Sequence, residues 1–253
     1  MQAALHLEAW LSSELYRLLL VFGRVSAALL LLPGFGEMTL PGRIRILAAL
    51  MIALCLAPLA GPAPAPPGAF GMVAALALEV AAGAFLGTLS RLLLSAVHVA
   101  GQIIGQCIGI SNAFAFGIGA DNAAILGSML YAAVLVALFA MDGHHSGLRA
   151  LADSYRLLPL GEPLPAAASA RAVTELTTGA FRLAMQLSMP FLVLSVLFNA
   201  ALAGINRALP AMPVFLIGAP AILLTGLSLL AQAAPTLLGE VLSAYSDVFQ
   251  LSR

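Results

Sequence analysis

With 253 residues, 62% hydrophobic and 9% charged, and a mean hydropathy of +1.04, the chain departs far from the roughly 45–50% apolar, 25% charged profile of a soluble domain. That composition makes it an integral membrane protein. A formal net charge of +0 and the absence of any basic run exclude nucleic acid as a partner and electrostatic surface attachment as a main role.

The N-terminus carries Glu8 and Glu14 without a basic stretch, and Arg24 interrupts the only run resembling a signal-peptide core, so the first segment is expected to stay in the mature chain. Apolar runs follow at about 18 to 35, 46 to 60, 70 to 98, 99 to 119, 123 to 141, 183 to 203 and 212 to 234. Discounting the Gly-rich run at 99 to 119 leaves about six hydrophobic segments of membrane depth, and the runs are continuously apolar where barrel strands would alternate. The expected fold is all-α: a single polytopic membrane-type helical domain over residues 1–253.

The second run, from Ile46 to Ala60, spans only ~22 Å as a helix, short of the ~30 Å hydrocarbon core. Snorkelling by Arg43 and Arg45 completes it, or it is one arm of a hairpin. GPAPAPPG at Gly61 to Gly68 forbids helix and reads as a stiff connector.

Gly83 and Gly87 lie four apart, as do Gly101, Gly105 and Gly109 in AGQIIGQCIG, and each set marks one helix face on which backbones can pack closely. Ordinary packing within one bundle and a seam between subunits both satisfy that pattern. Next comes ISNAFAFGIGADN, where Ser111, Asn112, Gly117 and Gly119 oppose regular helix while Phe114 and Phe116 keep the segment apolar. Irregular backbone at membrane depth is tolerated where protein buries it or a cavity adjoins it, so this loop is either a pore plug or an extramembrane turn.

Glu79 and Arg91 are intramembrane ions, yet twelve residues apart they point ~120° away from each other on a straight helix. Arg91 and His98 share a face, and for that pair structural pairing with another helix or subunit is expected ahead of a proton relay, while for Glu79 structural pairing and a proton-linked role both stay open. At Asp142, His144 and His145 a metal is conceivable, but adjacent helical histidines diverge by ~100° and no further ligand has suitable spacing, so neither metal nor cofactor is expected. Cys55 and Cys107 lack metal spacing and read as small buried hydrophobes. Ser195 and Asn199 share a helix face suited to hydrogen bonding between helices, and no catalytic motif stands out.

The stretch 142–182 carries balanced charges and reads as the aqueous-facing part; a helix is expected to end at Pro159, and Ala166 to Arg182 to lie on the surface or lead into the next span. Then GINRALPAMPVFLIGAP sets Arg207, Pro210, Pro213 and Pro220 against apolar sequence. These prolines are expected to break the helix and Arg207 to seek protein neighbours, as in a kinked hairpin.

Four segments in order, FGRVSAALLLLPGFGEMTLPGRIRILAALMIAL, GQIIGQCIGISNAF, DGHHSGLRALADSYRLLPLG and GINRALPAMPVFLIGAP, resemble flagellar export-gate proteins of the FliR type over most of the chain. The resemblance implies a non-enzymatic subunit of the flagellar type III export gate in the bacterial inner membrane, at the flagellar basal body. It implies assembly with FliP-like and FliQ-like subunits, work with FlhB-like and FlhA-like components, contact with membrane lipid, and transient contact with exported unfolded proteins. It also implies kinked hairpins packed on partners, and a plug role for Ser111 through Gly119. The alternatives are the equivalent subunit of a virulence injectisome, a small-solute transporter or channel using Glu79, and, more remotely, an intramembrane hydrolase built on Asp142, His144 and His145.

Overall fold

The computed structural model describes residues 2–37, 41–63, 68–110, 122–209 and 214–250, and among them every regular element is helical. In chain order they are α1 (Gln2–Leu31), α2 (Gly42–Leu56) with a 3-10 turn at Ala57–Leu59, α3 (Ala69–Cys107), α4 (Asn122–Ala140), α5 (His144–Leu157), α6 (Ala166–Ala208) and α7 (Val214–Gln250). The all-α expectation holds. The segments Ser111 to Gly119 and Pro210 to Pro213, and residues 64–67 of the proline-rich connector, lie outside the described residues.

Among the described residues four helices, where about six segments were expected, are long and apolar enough to cross a membrane: Gly42–Leu59, Ala69–Cys107, Ala166–Ala208 and Gly218–Asp247, with a fifth if α4 and α5 count as one broken span. Two causes account for the difference. Charged residues recur along α1 at Glu8, Glu14, Arg17 and Arg24, so no stretch of bilayer length escapes them. The run at 123 to 141 counts as a span only together with α5, because Ile125–Ala140 is bent by 73° from His144–Leu157. The runs at 70 to 98 and 99 to 107 are one 39-residue helix. At 1.5 Å per residue α3 is ~58 Å long and the 43-residue α6 ~64 Å, about twice the ~30 Å core, so each must tilt strongly or project beyond it.

The second run does reach span length. Its helix starts at Gly42, ahead of both arginines, and Arg45 Nη2 donates to the Glu37 carbonyl at 2.8 Å. Proline does not break α7: Pro220 and Pro235 both lie inside it, as Pro190 lies inside α6, correcting the expected helix break at Pro220. Proline removes one backbone bond, but an unwound turn in an apolar setting would leave several backbone groups unpaired, so the helix continues through it. A methyl added at Gly218 would lie 2.7 Å from Leu202 Cδ1, so α7 packs closely on α6 at that point.

The contacts divide into two compact units, residues 1–92, 142–176 and 246–253 in the first and 93–141 and 177–245 in the second. In the first, Leu20, Val21, Val25 and Leu29 of α1 pack with an alanine stripe of α2 (Ala49, Ala53, Ala57) and with Leu151, Tyr155 and Leu160. In the second, Ile104, Ile108, Leu126 and Phe191 form the core, and Ser188 Oγ donates to the Ala184 carbonyl at 2.8 Å.

Candidate functional site

Two helices of the first unit cross without room for side chains. A methyl built on Gly83 would sit 2.0 Å from the Arg24 carbonyl oxygen, and one on Gly87 2.6 Å from Leu31 Cβ and 2.8 Å from the Ala28 carbonyl oxygen. Gly23 of α1 faces Leu76 and Val80 in the same way. Residue numbers rise together on both sides of the seam, so α1 and α3 run parallel with four-residue faces in register.

That approach lets two opposite charges meet in the interior. Arg24 Nε donates to Glu79 Oε2 at 2.7 Å and Nη2 to Oε1 at 3.1 Å, and neither side chain is exposed. The free edge of the guanidinium turns to α5: Nη1 donates to Ser154 Oγ at 3.2 Å and to the Leu158 carbonyl at 3.0 Å. The Arg24 guanidinium lies 4.3 Å from the centre of the Tyr155 ring, and the Tyr155 hydroxyl donates to the Val21 carbonyl at 3.4 Å. Glu79 Oε1 also accepts the Gly161 N–H at 2.8 Å. A buried ion pair is stable only with such geometry and with its remaining donors satisfied.

The turn after α5 is shaped for that contact. Pro159 cannot continue the helix, which ends at Leu157 as expected, Leu160 is buried, and Gly161 takes a left-handed φ of +79° that aims its N–H at the carboxylate. In α1, outside the candidate spans, burial and then the nearby negative charge of Glu79 push the Tyr16 phenol above its usual range.

In the second unit, a methyl on Gly101 would lie 2.5 Å from Gly127 Cα, and one on Gly127 2.6 Å from the His98 carbonyl oxygen, so α3 and α4 also touch backbone to backbone. Gly105 is buried on the same helix. Gly109 is not a packing position: it lies two residues past the end of α3 with a left-handed φ of +78°, its nearest neighbour an ordinary 3.7 Å from a built methyl. Arg91 is exposed on α3, and Arg207 is exposed in the last turn of α6, where a cation suits the helix dipole. Asn199 Nδ2 donates back to Ser195 of its own helix, to the carbonyl at 2.8 Å and to Oγ at 3.3 Å. Cys55 is exposed and Cys107 half-buried, which corrects the buried expectation. Asp142, His144 and His145 bring one ligand atom each within 4.8 Å of one another.

The model of the family described as bacterial export proteins, family 1, matches residues 15–248, a span that holds the whole Arg24–Glu79 network and both glycine crossings. The chain belongs to this family. Flagellar biosynthetic protein FliR of Caulobacter vibrioides is 33% identical over 228 residues, covering 86% of this chain and 88% of its own length. Its counterpart in Escherichia coli is 29% identical over 245 residues, covering 96% and 92%. That of Bacillus subtilis is 27% identical over 208 residues, covering 80% of each. The resemblance drawn from the four segments is therefore to the right family.

Within this export-family chain, Glu79 does pair with another helix, and the partner is Arg24. Sequence reasoning passed over Arg24, Ser154, Tyr155 and Gly161. One signal was available for Arg24: a lone cation amid apolar residues needs an anion, and Glu79 is the carboxylate inside the neighbouring apolar runs. Nothing in spacing alone points to Gly161.

Proposed function

We propose that this chain is a non-enzymatic subunit of the flagellar protein-export gate in the bacterial inner membrane, assembled with FliP-like and FliQ-like subunits and working with FlhB-like and FlhA-like components. It helps form and plug the channel through which unfolded flagellar proteins leave. The observation that carries this reading is family membership over residues 15–248, joined to four candidate spans in whose most apolar 18-residue stretch no more than 17% of the residues are buried within the chain. Apolar helices left so bare are stabilised by lipid or by other subunits.

The polar groups of the Arg24 network favour assembly over catalysis. Each bonds another group of the same chain, leaving the ion pair enclosed and at a distance from any substrate. Its role is to hold α1, α3 and the turn after α5 in one rigid arrangement against which partners can pack. The plug role stays with Ser111 to Gly119, supported by its apolar bulk and by its place directly after the end of α3.

Co-expression with FliP-like and FliQ-like proteins, followed by detergent extraction, is expected to yield one complex. Recovery of only an isolated, well-folded monomer would overturn the assignment. Deletion of the gene is expected to abolish motility; intact flagella with lost effector secretion would move the chain to an injectisome. Shortening Ser111 to Gly119 is expected to raise ion leak through the assembled gate, and an unchanged leak would remove the sealing role.

A further inference from the structure

The segment MDGHHSG between α4 and α5 plays no part in the Arg24 network, and its side chains do not diverge as helical spacing predicts. The rings of His144 and His145 lie with centroids 4.2 Å apart and planes inclined by 33°, and His145 Nδ1 is 3.7 Å from Asp142 Oδ1. The physical reason is position. His144 opens α5, so no preceding helical turn restricts its side chain, and the two rings swing together.

Asp142 holds a left-handed φ of +57°, the one non-glycine residue among those described to do so, although Gly143 follows directly. That conformation is unfavourable for most L-residues and is best tolerated by Gly, Asn and Asp, and here it goes with a carboxylate within reach of both imidazoles.

We propose that Asp142, His144 and His145 form a binding site for a divalent transition-metal ion of the zinc class. One carboxylate oxygen and one nitrogen from each imidazole already lie within 4.8 Å of one another. Donors on one zinc ion sit ~3.0–3.5 Å apart, given bonds of ~2.0–2.2 Å, so the remaining closure is a rotation of side chains. Those of Asp142 and His145 are 78% and 56% exposed, which leaves them room to rotate and a path for the ion. An ionised carboxylate with two neutral imidazoles carries a net negative charge, and imidazole donors select zinc, nickel or copper over magnesium and calcium. Three protein ligands leave a coordination position open, to be filled by water or by a side chain of a neighbouring subunit. Bound there, the ion ties Asp142 to the first turn of α5, the helix that carries Ser154 and Tyr155 to Arg24.

The test is zinc binding by tag-free full-length protein purified in detergent, with elemental analysis for stoichiometry, competition against a chelator for affinity, and cobalt absorption for ligand type. About one ion per chain is expected. Asp142→Asn keeps a residue tolerant of the left-handed backbone while removing the charge, and His145→Ala removes an exposed ligand; each is expected to weaken binding at least tenfold. His98→Ala is expected to leave affinity unchanged. Thermal melting in chelator, the same for variants and wild type, shows that the fold is intact. Absence of binding overturns the proposal, as does affinity unaltered in the Asp142→Asn, His145→Ala double variant or lowered equally by His98→Ala.

Discussion

Arg24 and Glu79, 55 residues apart in sequence, meet through two side-by-side hydrogen bonds of 2.7 and 3.1 Å with neither side chain exposed. The seam that joins them is made by glycine, since Gly83 sets the backbones of α1 and α3 in contact and brings the carboxylate to the guanidinium. The pair is thus a consequence of backbone packing and also its lock: sliding either helix by one turn would strand two charges in an apolar interior.

Single and paired replacements at this site are expected to behave oppositely. Glu79→Gln leaves the Arg24 charge buried without its counter-ion, and loss of one partner of such a pair costs about 3–5 kcal/mol. The double replacement Arg24→Met, Glu79→Leu removes both charges and is expected to recover part of that loss, the rest being held back by the Gly161 N–H and the Leu158 carbonyl, which lose their partners. Thermal unfolding of the purified protein measures both. A proton-transfer role would appear instead as normal stability with lost export in Glu79→Gln.

Gly161 is expected to be the most sensitive position of the turn after α5. Alanine in its left-handed conformation costs about 1–2 kcal/mol, and any relief by rotation turns the N–H away from Glu79. Asparagine, which tolerates that conformation, is expected to be milder than alanine, and valine worse. Protease resistance of the extracted complex across the three variants gives the order.

What could be read in the sequence followed from periodicity and from proline. Continuous apolar runs identified helices, Pro159 marked the end of α5, and the stretch from Ala166 led into the span that follows. Periodicity gives a residue's face on its own helix and no information about its partner, so Glu79 was singled out while Arg24 was not paired with it. Proline misled in apolar context. Pro220 stays inside α7, because an interrupted helix in lipid strands backbone groups that water would otherwise satisfy.

The two glycine crossings are expected to reject even one methyl. Gly83→Ala places it 2.0 Å from the Arg24 carbonyl oxygen and Gly101→Ala 2.5 Å from Gly127 Cα, both backbone atoms that cannot rotate aside. Overpacking of this kind costs about 1–3 kcal/mol. Gly179→Ala, in open space on α6, is the control and is expected to gain up to about 1 kcal/mol of helix stability. Equal melting temperatures for all three proteins would remove the close-packing argument.

Gly204 and Arg207 leave the last turns of α6 uncovered. Among the described residues nothing lies within 4 Å of a methyl built at Gly204, and Arg207 is exposed one turn further on. For the isolated chain, Gly204→Ala is therefore expected to be neutral or stabilising by up to about 1 kcal/mol, and Arg207→Ala to cost no more than the 0.3–1 kcal/mol of a cation at a helix C-terminus. A guanidinium facing hydrocarbon is unfavourable, so a neighbouring subunit is expected to satisfy it, and close backbone approach at Gly204 fits the same contact. Both variants are then expected to lower the yield of complex with FliP-like and FliQ-like partners while leaving the isolated chain folded. Full yield in the double variant would place this end of α6 against lipid headgroups and water instead.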